Sequence, residues 1–160
     1  LIAAMNPCPC GYQGSPNHSC RCTPDQVHRY QAKLSGPLMD RIDLHVEVPN
    51  LAHTDLLNAT AGESTQSIRT RCDAARARAI ERQGSSNMAL QGQAIDQHIL
   101  LEPDALKFLN VAASRLGWSA RGTHRALKVA RTIADLAGAQ YTQVAHLAEA
   151  MQYRRNPGTL

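Results

Sequence analysis

Apolar and polar residues change their period along the chain. Residues 1–5, Leu-Ile-Ala-Ala-Met, form a short continuous apolar run closed by Asn6-Pro7, the pattern of a buried strand with a polar residue at its C-terminal end. A Cys/Pro/Gly/Asn-rich loop runs to Cys22. Thr23-Pro24-Asp25 predicts a helix start, because Thr can cap, Pro tolerates the first helical position and Asp suits the positive helix end. Val27, Tyr30 and Leu34 supply its apolar stripe. Ser35-Gly36-Pro37 then breaks the helix and begins a short turn through Leu38, Met39 and Asp40 to Arg41. Ile42, Leu44, Val46 and Val48 alternate with Asp43, His45 and Glu47, the clearest strand pattern in the chain, and Pro49 closes it.

Residues 50–62 read as a connection, and from Glu63 the periodicity becomes helical, which puts a domain boundary between 1–62 and 63–160. Ile68, Cys72, Ala75 and Ala79 share one helical face, so Cys72 reads as a small buried residue. Residues 84–98 are polar and irregular. Pro103 starts a helix with Ala105, Phe108, Leu109, Ala112 and Leu116 inward, and Gly117 ends it. Ser119 caps a longer helix to Gly138, and Thr142 caps a last one through Val144, Leu147, Ala148 and Met151. The expected fold is thus a two-strand α/β remnant followed by an all-α bundle, mainly α overall.

Composition narrows this picture. At 160 residues the chain suits one domain or two small ones, and with four Tyr, one Phe and one Trp its core must be built from aliphatic side chains and Ala. No apolar run approaches the ~20 residues that span a bilayer, which predicts a soluble chain. With no initiator Met, basic leader or cleavage site, the sequence reads as a piece of a longer protein. The net charge of +4 is uneven: residues 1–60 hold four Lys/Arg against five Asp/Glu, residues 61–160 thirteen against eight. Fourteen of the seventeen cations are Arg, suited to bidentate phosphate or carboxylate contacts, so an anionic partner competes with a solvated basic surface. Four of five cysteines fall between Cys8 and Cys22, a poor plan for a secreted disulfide scaffold and a better fit to a reducing cytoplasm.

Three constellations could carry chemistry. Cys8-Pro9-Cys10 and Cys20-Arg21-Cys22 enclose a loop able to fold back and gather four thiolates for tetrahedral Zn²⁺, with His18 as a substitute ligand; four reduced thiols are the alternative. A catalytic zinc has no base beside it. Arg121 lies just inside a helix N-terminus, where the helix field disfavours a cation unless a phosphate shares the site. From Arg115 to Arg131 every charge is basic (Arg115, Arg121, Arg125, Lys128, Arg131), which marks either a solvated face or, at Arg125 and Lys128, a DNA or phosphate contact. Arg41, between Asp40 and Asp43, has an internal ion pair as its default.

The order of these parts resembles a known family. Ala4-Met5-Asn6-Pro7-Cys8-Pro9-Cys10-Gly11, the stretch from Leu34-Ser35-Gly36-Pro37 through Arg41 to Val46, Ser119-Ala120-Arg121 and Leu127 to Leu136 are similar to the C-terminal part of magnesium-chelatase-like AAA+ ATPases of the competence-associated helicase (ComM/YifB) type. The resemblance implies an AAA+ core remnant over 1–62 and a helical lid over 63–160. It further implies Asn6 as the sensor-1 residue that orients water, Arg41 as the finger reaching a neighbouring subunit's nucleotide, and Arg121 as the lid's sensor-2 arginine. ATP and Mg²⁺ would be the cofactors, a homo-oligomeric ring of hexamer type the assembly, and DNA the partner of a helicase or branch-migration motor. A chelatase-type ATPase acting on a protein or tetrapyrrole, or a zinc-stabilised interaction module, are the alternatives. The chain holds no G-x₄-G-K-[ST] loop and no apolar run ending in paired acids, so these 160 residues alone are expected to be inactive.

Overall fold

Helix signals in the sequence account for most of the computed structural model, which describes residues 1–49, 58 and 60–154. Among these, seven α-helices form: α1 (Pro24–Gln31), α2 (Gly36–Arg41), α3 (Thr65–Gln83), α4 (Gln93–His98), α5 (Pro103–Arg115), α6 (Ala120–Leu136) and α7 (Val144–Gln152), with a 3₁₀ turn at Asn87–Ala89. The described residues divide into two compact units, the first drawn from Leu1–Ile42 and Glu47–Asn58, the second from Asp43–Val46 and Ala59–Leu160. The expected connection at 50–62 lies largely outside the described residues.

In the first unit the caps act as the sequence suggested. Thr23 Oγ1 accepts from the Gln26 amide while Gln26 Oε1 accepts from the Thr23 amide, closing both donors at the start of α1. Ser35 Oγ accepts from the Leu38 amide at the start of α2. Val27, Tyr30 and Leu34 are half-buried.

The second unit is built on α6, which packs against α3 and α7. Ala126, Ala130 and Ala134 recur every fourth residue on α6 and are fully buried, and Ala75 and Ala79 are the buried residues of α3. Small side chains let helix backbones approach closely, which is how a chain poor in aromatics still fills its interior. Leu90, Ile95, Ile99, Leu109, Leu127 and Leu147 complete the core. A parallel bridge between Leu101 and Thr142 ties the entry to α5 to the entry to α7.

Several expectations are corrected here. Neither anticipated strand forms: residues 1–6 and 44–49 lie outside any strand, Leu1, Ile2 and Val48 are almost wholly exposed, and the sheet of an AAA+ core is not seen among the described residues. Period-2 alternation marks two faces of a strand, but its backbone groups need a partner strand to pair with. Instead the His45 amide donates to the Tyr153 carbonyl at 2.8 Å. Cys72 and Ile68 share the helical face of Ala75 and Ala79 but are exposed, because α3 buries that face only in its later turns, at Ala75 and Ala79. Leu116 is half exposed at the end of α5, beyond the last turn that meets the core. The polar stretch 84–98 contains the 3₁₀ turn and α4, whose Ile95 and Ile99 reach the core. Thr142 does not cap α7: it is fully buried in the bridge, and Gln143 caps instead, paired with His146.

Candidate functional site

The loop before α1 is shaped by two tight turns. The Gly11 amide donates to the Cys8 carbonyl at 3.0 Å and the Ser15 amide to the Tyr12 carbonyl at 3.1 Å, with Gly11 and Gly14 at φ 81° and 75°. Those dihedrals strain any residue with a Cβ, so both glycines are conformational requirements. The turns fold Cys8-Pro9-Cys10 back towards Cys20-Arg21-Cys22 and bring all four Sγ atoms within 4.8 Å of one another. Three pairs are 3.4 Å (Cys8–Cys10), 3.7 Å (Cys8–Cys20) and 3.6 Å (Cys10–Cys20) apart. Sulfurs about 2.3 Å from one tetrahedral ion stand about 3.8 Å apart, so Cys8, Cys10 and Cys20 have nearly the spacing of a single-ion site, with Cys22 within 4.8 Å of them. His18 is not part of it; its ring leans on Tyr12, centroids 4.8 Å apart, and its Nδ1 faces the Asn17 carbonyl.

Backbone amides face these sulfurs and set their acidity. The amides of Tyr12 and Arg21 pull the Cys10 thiol down to about 6. Burial raises Cys8, but the Gln13 amide and the contact with Cys20 leave it below the ordinary thiol range. The Cys22 amide favours the Cys20 thiolate, yet burial and its thiol neighbours hold that residue up. Cys22 accepts from the Cys10 amide, and burial with three crowded thiols nevertheless pushes it up to about 12. The two C-x-C segments thus donate amides to each other across the loop. Gln31 Nε2 on α1 donates to the Pro7 carbonyl at 3.3 Å, fastening the loop to the helix that follows it.

Asn6 stands at the mouth of this loop and is exposed; a Cβ at Gly11 would lie 3.7 Å from its Nδ2. Arg41 is the last residue of α2, exposed, with Nη1 donating to the Pro37 carbonyl one turn back. Arg121 is exposed in the first turn of α6, whose first amides are served by Ser119 Oγ through the Gly122 amide at 3.1 Å. The other basic positions divide. Arg125 Nη1 pairs with Asp43 at 2.5 Å, and Lys128 Nζ donates to the Met88 carbonyl at 3.0 Å. Burial and the neighbouring Arg125 lower the Lys128 pKa, against the pull of Asp43.

Arg131 leaves the basic face altogether, which corrects the reading of it as a solvated cation. It is 1% exposed and bonded to Asp135, itself 1% exposed, at 2.9 Å. The Asp135 carboxylate also receives Arg82 at 2.7 and 2.9 Å and Asn87 Nδ2 at 2.8 Å, and Arg131 continues to the Gln140 carbonyl at 2.8 Å. Burial would raise the Asp135 pKa, but these bonds and the two guanidinium charges hold it below the usual carboxylate range. The i,i+4 spacing of Arg131 and Asp135 was visible in the sequence; that Arg82 and Asn87 converge on the same carboxylate was not, because they come from a different helix and turn.

Along the chain, a cysteine-lined loop and a short helix ending in Arg41 precede a helical bundle, and comparison with known proteins shows the family. The family model for the magnesium chelatase subunit ChlI C-terminal region matches residues 62–154, and that for magnesium chelatase subunit ChlI matches residues 1–56. The chain belongs to this family, as a ComM/YifB-type member. It is 45% identical over 157 residues to the YifB protein of Salmonella typhimurium, covering 96% of this chain. It is 44% identical to competence protein ComM of Haemophilus influenzae over 156 residues and to YifB of Escherichia coli over 157, again 96% of the chain. The chain spans about 30% of the length of these relatives. Among the described residues no helix is long and apolar enough to cross a membrane.

Proposed function

We propose that the chain is the C-terminal part of an AAA+ ATPase that assembles as a homo-oligomeric ring, a hexamer in the simplest case, and drives DNA unwinding or branch migration in recombination or natural transformation. The observation that carries the reading is the position of Asn6, Arg41 and Arg121 in a chain of this family: each is exposed at the end of a loop or helix, where a side chain can meet a ligand without dismantling packing. In this reading Asn6 orients the attacking water, Arg41 neutralises charge on a neighbouring subunit's nucleotide, and Arg121 holds phosphate near the positive N-terminal end of α6. ATP with Mg²⁺ supplies the transferable phosphoryl group. An arginine donated across an interface is worth ~10³–10⁵ in rate in related NTPases, and it is silent in a monomer. The clustered free cysteines favour a reducing cytoplasm. The competence label of the Haemophilus influenzae relative supports DNA as the partner.

The family's description as magnesium chelatase supports a second reading, an ATPase that acts on a protein or tetrapyrrole. The cysteine cluster supports a third, a zinc-stabilised interaction module without turnover. The test is ATP hydrolysis by the complete protein, wild type against Arg41→Ala, with and without single-stranded and branched DNA. DNA-stimulated turnover that vanishes in the variant is the expected result. Turnover indifferent to DNA but lost in the variant selects the chelatase-type reading, and the absence of turnover leaves the interaction module.

A further inference from the structure

We infer that Cys8, Cys10, Cys20 and Cys22 bind one zinc ion in a closed tetrathiolate site, and that this ion positions Asn6. Two observations carry the metal. All four sulfurs lie within 4.8 Å of one another, and the spacings among Cys8, Cys10 and Cys20, 3.4 to 3.7 Å, approach those around one tetrahedral ion and are far from a disulfide bond length of about 2.05 Å. An all-sulfur set selects a soft or borderline metal. Within that group, an iron–sulfur cluster would set ligands of different irons farther apart than this cluster allows, and copper(I) favours fewer thiolates. Four protein ligands leave no open position, so the ion is structural.

The link to Asn6 follows the chain. Only Pro7 separates Asn6 from the first ligand, and the Pro7 carbonyl is held by Gln31 of α1. On the other side the Gly11 turn, closed by the Cys8 carbonyl, lies beside the Asn6 amide group, 3.7 Å from where a Cβ at Gly11 would stand. Without the ion the four thiols offer each other only weak S–H contacts, and the segment that aims Asn6 loses its anchor. Asn6 positioning rests on the reading of Asn6 proposed above; the metal site does not.

The experiment uses the complete protein. Metal analysis after gel filtration is expected to find one zinc per chain, and Co²⁺ exchanged into the site to show the intense thiolate charge-transfer and tetrahedral d–d bands of an S₄ set. Cys20→Ser and Cys22→Ser should each lose the metal while keeping helical circular dichroism. Cys20→Ser should also lower kcat for ATP roughly tenfold to a hundredfold with KM nearly unchanged, and add little to the loss already caused by Asn6→Ala. A wild-type protein with no zinc and no tetrahedral cobalt spectrum overturns the site. Zinc present but turnover unaffected in Cys20→Ser overturns the positioning role alone. Zinc present in a protein that hydrolyses no ATP sinks the ATPase reading and the positioning role with it, and leaves the metal site standing.

Discussion

Arg131 and Arg41 show how one residue type takes opposite roles. Arg131 is buried with Asp135, and its guanidinium can leave water only because a carboxylate and two backbone carbonyls replace the lost hydration. Asp135→Asn would leave the buried Arg131 and the partly buried Arg82 facing a neutral amide. The expected cost is about 3–5 kcal/mol, or a fall of about 12 °C or more in melting temperature, read by circular dichroism. The pH dependence follows from the depressed Asp135 pKa. Its stabilisation is complete above the ordinary carboxylate value of about 3.9 and is lost as pH falls through the lower folded value. Melting temperature should therefore be flat with respect to this group from pH 7 to 5 and drop below about pH 4, and a drop centred near pH 6 would exclude Asp135 as its source. Arg41 is exposed, so Arg41→Ala should change stability by no more than ~1 kcal/mol while abolishing turnover in the complete protein; an unfolded variant would mark Arg41 as structural.

At the scale of elements, helices formed where their caps and faces were written locally. Ser119 and Thr23 each hold an amide of their own helix, and Ser119→Ala should cost about 1 kcal/mol, measurable as a shift in the urea midpoint with an unchanged slope. The alanine row of α6 has the opposite sensitivity. Ala130→Leu adds three carbons where the side chain has no exposed surface, and overpacking should cost roughly 1–3 kcal/mol. Thr142 shows the limit of local reading. Its sequence suits a cap, but its amide is taken by the Leu100 carbonyl and its carbonyl by the Glu102 amide, so the neighbouring Gln143 takes the capping role. Cys72 and Ile68 lie on the face that α3 buries at Ala75 and Ala79, yet remain exposed because packing depends on what lies opposite as well as on the face itself.

At the scale of the whole molecule, fewer cations of the second half stand open to an anionic partner than its sequence suggests. Arg131 is buried, and Arg125 and Lys128 are held by Asp43 and Met88. If the complete protein binds DNA through the remaining cations, affinity should fall steeply between 50 and 200 mM salt, by about tenfold or more for every few phosphates contacted. Titrations by fluorescence anisotropy that give one affinity at both salt concentrations would exclude electrostatic contact. What the sequence by itself determined was the helices with strong caps, the breaks at Gly and Pro, the gathering of four cysteines into one loop, and the family, because each is written in near neighbours or in the order of short motifs along the chain. Tertiary structure decided which arginines stay in water, which apolar faces are covered, whether period-2 segments pair, and which amides meet which sulfurs. Those outcomes depend on groups distant in the chain, and burial and hydrogen bonding are properties of the pair that meets.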